Sequence, residues 1–236
     1  MYALLDWDNS LRKKVTLFRW EDFLVQKGAL SSRVISEREK YRLAHLEGRM
    51  DHDQLSRECC LSFLRAAEGL TFAQYSELLE EYLPHDREDF AAYTPVLFDW
   101  LHTHGIEPVV VSGAPRDIIG RYFDEFGIRR AWAFDYEFRD GRLSSDFLGS
   151  GGHDKRAAVE ACRREFGCDP ILALGDSASD LPMLKAAQCP LIAGNPSPLS
   201  KLLPNAVALD YDQRGAQALQ KRLDELSTII SLGGNS

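Results

Sequence analysis

The stretch that decides the reading is Leu4-Leu5-Asp6-Trp7-Asp8-Asn9-Ser10. The apolar run from Tyr2 to Leu5 predicts a buried strand. It ends in two carboxylates two residues apart, followed by a hydroxyl. Period-2 alternation sends Asp6 and Asp8 to the same side of the chain if the extended geometry persists, with Trp7 turned away into the core. Two carboxylates converging at the carboxyl end of a strand repel each other and lose solvation, a cost that a hard cation or a shared proton offsets. In open α/β sheets that same edge is where ligands bind. A DxDxS match is weak on its own, because Asp and Ser are common after strands. Its meaning depends on what the later strands end in.

The 236 residues allow one large domain, or one domain with an insert. Apolar residues make up 44% and charged residues 27%, as in ordinary soluble globular proteins. A net charge of −8 and a pI near 5.3 argue against nucleic acid or an anionic membrane as the main partner. No apolar run approaches the ~20 residues of a membrane span, and the N-terminus reads as a strand rather than a signal peptide. The five cysteines, Cys59, Cys60, Cys162, Cys168 and Cys189, have no metal-ligand spacing and read as reduced core thiols of a cytoplasmic protein.

After Ser10 comes a basic patch, Arg12-Lys13-Lys14, and then a long region patterned as helix. Leu17, Trp20 and Leu24 fall at helical spacing, and residues 33–47 are helical in composition up to Gly48. Leu55, Cys59, Phe63 and Ala66 share a face that stops at Gly69. Thr71 and Gln74 predict a capping box opening a fourth helix, with the stripe Phe72, Tyr75, Leu79 and Tyr82, ending before Pro84. Nothing between residues 17 and 90 reads as a strand, so 17–90 is expected to be an all-helical insert between 1–16 and 91–236.

From residue 94 helix and strand alternate. Thr94 and Pro95 open a helix closed by Gly105, and Pro108 to Val111 is a β-branched strand ending in Ser112-Gly113-Ala114. Residues 116–126 predict a helix stopped by Gly127. Ala131 to Phe138 predicts a strand entering a hairpin at Asp140-Gly141. A helix from Asp154 to Phe166, a strand from Ile171 to Leu174 ending in Gly175-Asp176, a short helix near Asp180 and a strand at Leu191 to Ala193 follow, then a turn at Asn195-Pro196-Ser197-Pro198. Buried strands alternating with helices specify an α/β fold with a doubly wound parallel sheet.

Polar groups now stand at the ends of several elements along one edge of that sheet: Asp6/Asp8, Ser112-Gly113, Lys155 and Asp176/Asp180. Each has a plain reading: a tight turn for Ser112-Gly113, a solvated first helical turn for Lys155, a helix N-cap for Asp180. Together they fit phosphate-monoester hydrolysis, which needs a nucleophile, a proton donor for the leaving oxygen and positive charge around the phosphoryl group. A carboxylate can attack phosphorus and form an aspartyl-phosphate. Mg²⁺ held by Asp6 and Asp176 bridges the repelling anions. Ser112, the Gly113 N–H and Lys155 bind phosphate oxygens, and Asp8 protonates the leaving group and then deprotonates water.

The set Asp6-Trp7-Asp8-Asn9-Ser10, Ser112, Lys155 and Gly175-Asp176-Ser177-Ala178-Ser179-Asp180 resembles the four motifs of the haloacid dehalogenase (HAD) superfamily. The resemblance runs from residue 6 to about 195. The insert after the first motif is similar to the helical C1 cap of the phosphoserine-phosphatase-like (IB) branch. It implies that Asp6 is the phosphorylated nucleophile and Asp8 the acid/base. It also implies Mg²⁺ on the Asp6 carboxylate, the Asp8 main-chain carbonyl and Asp176, with Asp180 in support. Two positions depart from the branch. Leu11-Arg12-Lys13-Lys14-Val15 is basic where phosphoserine phosphatases tend to carry an acid for the substrate ammonium, and Ser179, near the substrate, stands where many have Asn. Both bear on whether phosphoserine is the substrate. The second Asp of the first motif argues against a dehalogenase.

Substrate choice for a small phosphorylated metabolite is expected to reside in the cap. Arg12, Lys13, Lys14 and Arg19 are either a second anion site or, the more economical reading, a solvated hinge. Arg42, Arg49, Arg57, His45 and His52 are further cap candidates, and His153 either lines the site or enters a helix. From Gln213 the tail reads as an amphipathic helix, with Leu219, Leu223, Leu226 and Ile230 expected to pack on the sheet; a homodimer seam, or a linker at Gly233-Gly234-Asn235-Ser236, is the other use of it. The rivals to a phosphatase are a phosphotransferase or mutase on the same core, and a phosphate-sensing module, which has no need of Asp8.

Overall fold

The computed structural model describes residues 1–148, 154–194 and 199–233. The turn at 195–198, His153 and the tail from Gly234 lie outside them. In chain order the elements are β1 (Tyr2–Leu5), α1 (Thr16–Gln26), α2 (Arg33–Leu46), α3 (His52–Ala67), α4 (Phe72–Arg87), α5 (Thr94–Thr103), β2 (Glu107–Pro115), α6 (Arg116–Gly120), α7 (Phe123–Phe126), β3 (Arg130–Phe134), β4 (Phe138–Arg139) and β5 (Arg142–Leu143). Then follow α8 (Lys155–Phe166), β6 (Leu172–Gly175), α9 (Leu181–Ala186), β7 (Cys189–Ala193), α10 (Leu199–Leu202), β8 (Val207–Leu209) and α11 (Gln213–Gly233).

The main sheet has the order β3-β2-β1-β6-β7-β8, and its strand pairs are parallel. From β1 the chain winds outward through β2 and β3, then returns to β6 on the other side. The winding direction therefore reverses beside β1, which puts a crevice at the carboxyl ends of β1 and β6. Both faces are covered. Ala3 and Leu5 face a core shared with α5 and α11, while Tyr2 and Leu4 face a second core with α8 and α9. The period of two in β1 thus serves two cores at once. This is the doubly wound sheet with an all-helical insertion that the sequence predicts.

The inserted helices α1 to α4 have their own apolar centre of Trp20, Leu24, Phe63, Tyr75, Leu79 and Tyr82, which also takes in Ile118, Phe134 and Leu143 from the core side. The hairpin β4–β5 docks on the α3–α4 loop, with Leu143 N–H donating to Leu70 O at 2.8 Å and Phe72 N–H to Gly141 O at 2.9 Å. Asp140 and Gly141 both have positive φ, 49° and 73°, the two-residue turn expected at that dipeptide.

Several local expectations are corrected. Helix α4 runs through Pro84 to Arg87, because Asp86 in its last turn is buried and held by Tyr82 and Tyr122 hydroxyls at 2.9 and 2.8 Å and by Arg12. Residues 116–126 form two short helices, broken where Tyr122 turns inward to reach Asp86. The stretch 131–138 is two strands, with Asp135 to Glu137 between them. Ala67 rather than Ala66 faces the interior, and Phe72 is exposed. Thr94 is the first helical residue, its hydroxyl donating to Leu11 O at 2.6 Å. The elements β8 and α10 have no counterpart in the sequence reading. Cys168 is exposed, whereas the other four cysteines are buried thiols. Leu219, Leu223 and Leu226 of α11 are buried in the chain's own core, so they are not available for a dimer seam. No described helix is long and apolar enough to cross a membrane.

Candidate active site

The β1 ladder reaches one residue past the strand, since Asp6 N–H still donates to Leu174 O at 2.9 Å. Trp7 is then buried against Phe90 and Tyr122, and the chain makes a wide turn over Trp7–Leu11. Asn9 sits in the left-handed region at φ 54°, a conformation Asn tolerates better than most residues. The turn is clamped through its carbonyls: the Tyr211 hydroxyl donates to Asn9 O and the Tyr93 hydroxyl to Ser10 O. Ser10 in turn donates to Asp6 Oδ2 at 2.8 Å. Asp6 and Asp8 both face one cavity, as the alternation requires.

Lys155 begins α8, directly after Asp154, whose side chain caps the helix by accepting from Ala157 N–H at 2.9 Å. It is 6% exposed. Its Nζ donates to Asp6 Oδ1 at 2.6 Å and to the Val111 carbonyl, and it faces Asp180 Oδ1 at 3.1 Å. One ammonium thus joins the end of β1 and the middle of β2, which runs on past the expected stop at Val111 to Pro115, to the loop after β6.

That loop is made possible by Gly175. A Cβ there would lie 2.4 Å from the Asp180 Cβ, so only glycine lets the loop close. Asp180 Oδ2 accepts from the backbone N–H groups of Asp176 and Ser177, both at 3.0 Å, and from the Ser177 hydroxyl at 3.1 Å. Its Oδ1 is buried and has no hydrogen bond beyond its charge contact with Lys155. Carboxylate oxygens of Asp6, Asp176 and Asp180 lie within 4.8 Å of one another.

The electrostatics follow. Burial, aided by the Asp180 charge, pushes Asp6 above the ordinary carboxylate range even though Lys155 and the Ser10 hydroxyl oppose it. Burial and then the Asp6 and Asp180 charges push Asp176 up as well. Burial works against the charge on Lys155, but Asp180 and Asp6 outweigh it and hold the ammonium well above the usual lysine value. Three carboxylates share one cation, which leaves the cluster short of positive charge. A divalent ion that takes oxygen ligands fits that deficit.

Asp8 is held separately. Thr16, in the first turn of α1, gives Asp8 Oδ1 both its backbone N–H, at 2.8 Å, and its hydroxyl. Burial raises the Asp8 carboxyl to about 6, against the pull of Arg12 and the Thr16 hydrogen bonds. Across the cavity, Ser112 is 1% exposed and its Oγ accepts the Ala114 N–H at 3.2 Å, which leaves its O–H as a donor. Gly113 and Ser179 line the same space, and Ser179 Oγ lies 2.8 Å from Ser177 Oγ. The cavity measures about 290 Å³.

Asp6, Asp8, Ser112, Gly113, Lys155, Asp176 and Ser179 therefore line one space, with Asp180 just behind. His45 and His52 of the cap also line it. The cationic cap candidates do not. Arg12 is fully buried and paired with Asp86 and Asp89, so it is neither a solvated hinge nor an anion site. Arg19 pairs with Asp89, Arg42 with Glu39 and Arg49 with Glu47. Lys13 and Lys14 are exposed. Thr16, Tyr93 and Tyr211 were not foreseen as site residues. Their roles depend on hydrogen bonds to backbone or to a distant carboxylate, and no motif spacing announces them.

The sequence profile of haloacid dehalogenase-like hydrolases matches residues 3–185. No curated protein sequence matches the chain. Among solved structures, a protein of unknown function from Bordetella pertussis Tohama I superposes with a TM-score of 0.72 at 20% identity, covering 89% of this chain and 98% of that one. A phosphoserine phosphatase solved as a phospho-aspartyl intermediate analogue gives 0.63 at 20% identity, covering 90% and 95%. A substrate-bound phosphoserine phosphatase gives 0.64 at 19%, covering 90% and 94%. At these identities the superpositions speak to the fold. The profile spans most of the length, and the chain belongs to the haloacid dehalogenase-like hydrolases.

Proposed function

We propose that the protein is a Mg²⁺-dependent phosphatase that hydrolyses a small phosphate monoester through an aspartyl-phosphate on Asp6. The observation that carries the reading is the convergence on Asp6, at the carboxyl end of the central strand, of the Lys155 ammonium at 2.6 Å and the carboxylates of Asp176 and Asp180. In this reading residues 17–90 are the cap and 1–16 with 91–236 the catalytic core.

Asp6 Oδ attacks phosphorus, and the bond from phosphorus to the ester oxygen breaks. Asp8, fixed by Thr16 and with its carboxyl raised to about 6, gives its proton to the departing oxygen. It then takes a proton from water as that water attacks the aspartyl-phosphate and releases phosphate. Lys155, the Ser112 hydroxyl and the Gly113 N–H hold the phosphoryl oxygens. Mg²⁺, which Asp6, Asp176 and the Asp8 carbonyl would hold, supplies the charge that lets a carboxylate approach a phosphate. Asp180 keeps Lys155 and the Asp176 loop in place.

An acid poised at Asp8 favours turnover over phosphate sensing, and it serves a phosphotransferase as well as a hydrolase. The test is hydrolysis of p-nitrophenyl phosphate with Mg²⁺. Wild type is expected to turn over, Asp6→Asn to lose all activity and Asp8→Asn most of it with metal still bound. Normal turnover by Asp6→Asn would falsify the nucleophile assignment. Transfer of phosphate to added alcohols in place of water would identify the transferase.

A further inference from the structure

We infer that the alcohol part of the substrate is apolar beside the ester oxygen and carries no negative charge. This rests on the phosphatase reading and narrows it to esters of neutral or cationic alcohols. On the cap side the cavity lining includes the apolar residues Leu17, Phe18, Leu55 and Cys59, beside the polar His45, His52, Asp53 and Ser56. A group attached to the phosphate meets hydrocarbon and an aromatic ring there, surfaces that reward apolar contact and offer nothing to an ion.

The charges present carry the same message. Asp53, in the first turn of α3, lines the cavity with Asp6, Asp8 and Asp176. Among the described residues, Lys155 is the only lysine or arginine on that lining, and it is already shared between Asp6 and Asp180. The two histidines on the cap side are already engaged: His45 Nδ1 bonds to Met50 O at 2.9 Å, and His52 Nδ1 lies 3.9 Å from the Asp53 carboxylate. Arg57 and Arg156 border the adjoining cavity rather than this one, interleaved there with Asp51, Asp53 and Asp154, and Arg57 lies over the Phe147 ring at 5.3 Å. A carboxylate or second phosphate on the alcohol would lie beside the like charge of Asp53, with no lysine or arginine of the lining left to pair with it. An ammonium at the same place would face a carboxylate.

The experiment compares esters that differ by one carboxylate, with Mg²⁺ and the full chain: phenyl phosphate against 4-carboxyphenyl phosphate, and O-phosphoethanolamine against O-phosphoserine. The uncharged or cationic member of each pair is expected to have a kcat/KM at least about tenfold higher. In Asp53→Lys, at a side chain 70% exposed, the discrimination is expected to shrink or reverse. Equal or better hydrolysis of the carboxylated esters by wild type overturns the inference and leaves the phosphatase reading standing. So does a preference that Asp53→Lys leaves unmoved. If none of the four esters, nor p-nitrophenyl phosphate, is hydrolysed, the phosphatase reading falls and takes the inference with it.

Discussion

Thr16 holds one oxygen of Asp8 with two donors, its own N–H at 2.8 Å and its hydroxyl, so the first residue of α1 orients a side chain just past the end of β1. Thr16→Val keeps the shape and the backbone bond and removes the hydroxyl. If Asp8 is the proton donor, esters of alkyl alcohols are expected to lose about tenfold in kcat, because their leaving oxygen needs the proton. Hydrolysis of p-nitrophenyl phosphate, whose leaving group is stable as an anion and which needs Asp8 only as the base toward water, is expected to lose clearly less. Steady-state kinetics on the two ester types measure the difference, and an equal loss on both removes Thr16 from a role in proton donation.

The raised carboxyls set both the pH dependence of the metal-free protein and that of its stabilisation by Mg²⁺. In metal-free protein Asp6 and Asp176 bind protons more tightly when folded than when unfolded. Their contribution to stability is therefore complete below the ordinary carboxylate range and declines as pH rises from there through neutrality. Mg²⁺ binding must displace those protons, so stabilisation by Mg²⁺ is expected to grow over the same interval. Thermal melts with Mg²⁺ and with a chelator, at about pH 5 and pH 8, test this; the gap between the two curves should be wider at the higher pH.

Lys155→Met leaves Asp6 and Asp180 facing each other in a buried site without their shared cation. Metal-free stability is expected to fall by about 3 kcal/mol, the scale for stripping one partner from a buried ion pair. Activity is expected to fall by about two to three orders of magnitude. Lys155→Arg should recover little, since a forked guanidinium cannot take the place of a point charge held at three oxygens. Denaturant titration and initial rates read the two effects separately.

At Gly175 the expected result is steric. Gly175→Ala puts a methyl group 2.4 Å from the Asp180 Cβ, so the loop carrying Asp176 has to move. A loss of about 1–3 kcal/mol is expected, accompanied by weaker Mg²⁺ binding by calorimetry. Native-like metal affinity in this variant would show that the cluster does not depend on the tight loop.

Much of the candidate site was legible because its parts sit where a short apolar run in the sequence stops at a polar residue, even though β2 itself continues past Ser112 to Pro115. Asp6, Ser112 and Asp176 all announce themselves that way. The support behind them was not. Asp86 lies 74 residues from Arg12, and nothing local tells a buried arginine from a solvated one. Pro84 is a fair stop signal by local rules, but burying Asp86 among Tyr82, Tyr122 and Arg12 carries the helix past it. Ala66 and Ala67 are chemically identical, so periodicity alone cannot choose the inward one. The three-residue strand β8 has only Leu209 fully buried, too short a signal to separate from loop.

Arg12 and Phe90 face each other as an antiparallel bridge, flanked by Lys13 N–H donating to Asp89 O at 2.9 Å and Ala91 N–H to Leu11 O at 3.0 Å. The helical insert therefore leaves and rejoins the sheet through a single doorway. Everything between Lys13 and Asp89 is a cassette whose ends already touch; a tight turn in its place would keep the ladder of the main sheet but uncover Ile118, Phe134 and Leu143 and remove the dock of β4–β5. A different insert, grafted in its place, would attach by the same two ends. Arg12, which would lose Asp86 with the old lid, is the residue such a transplant must change.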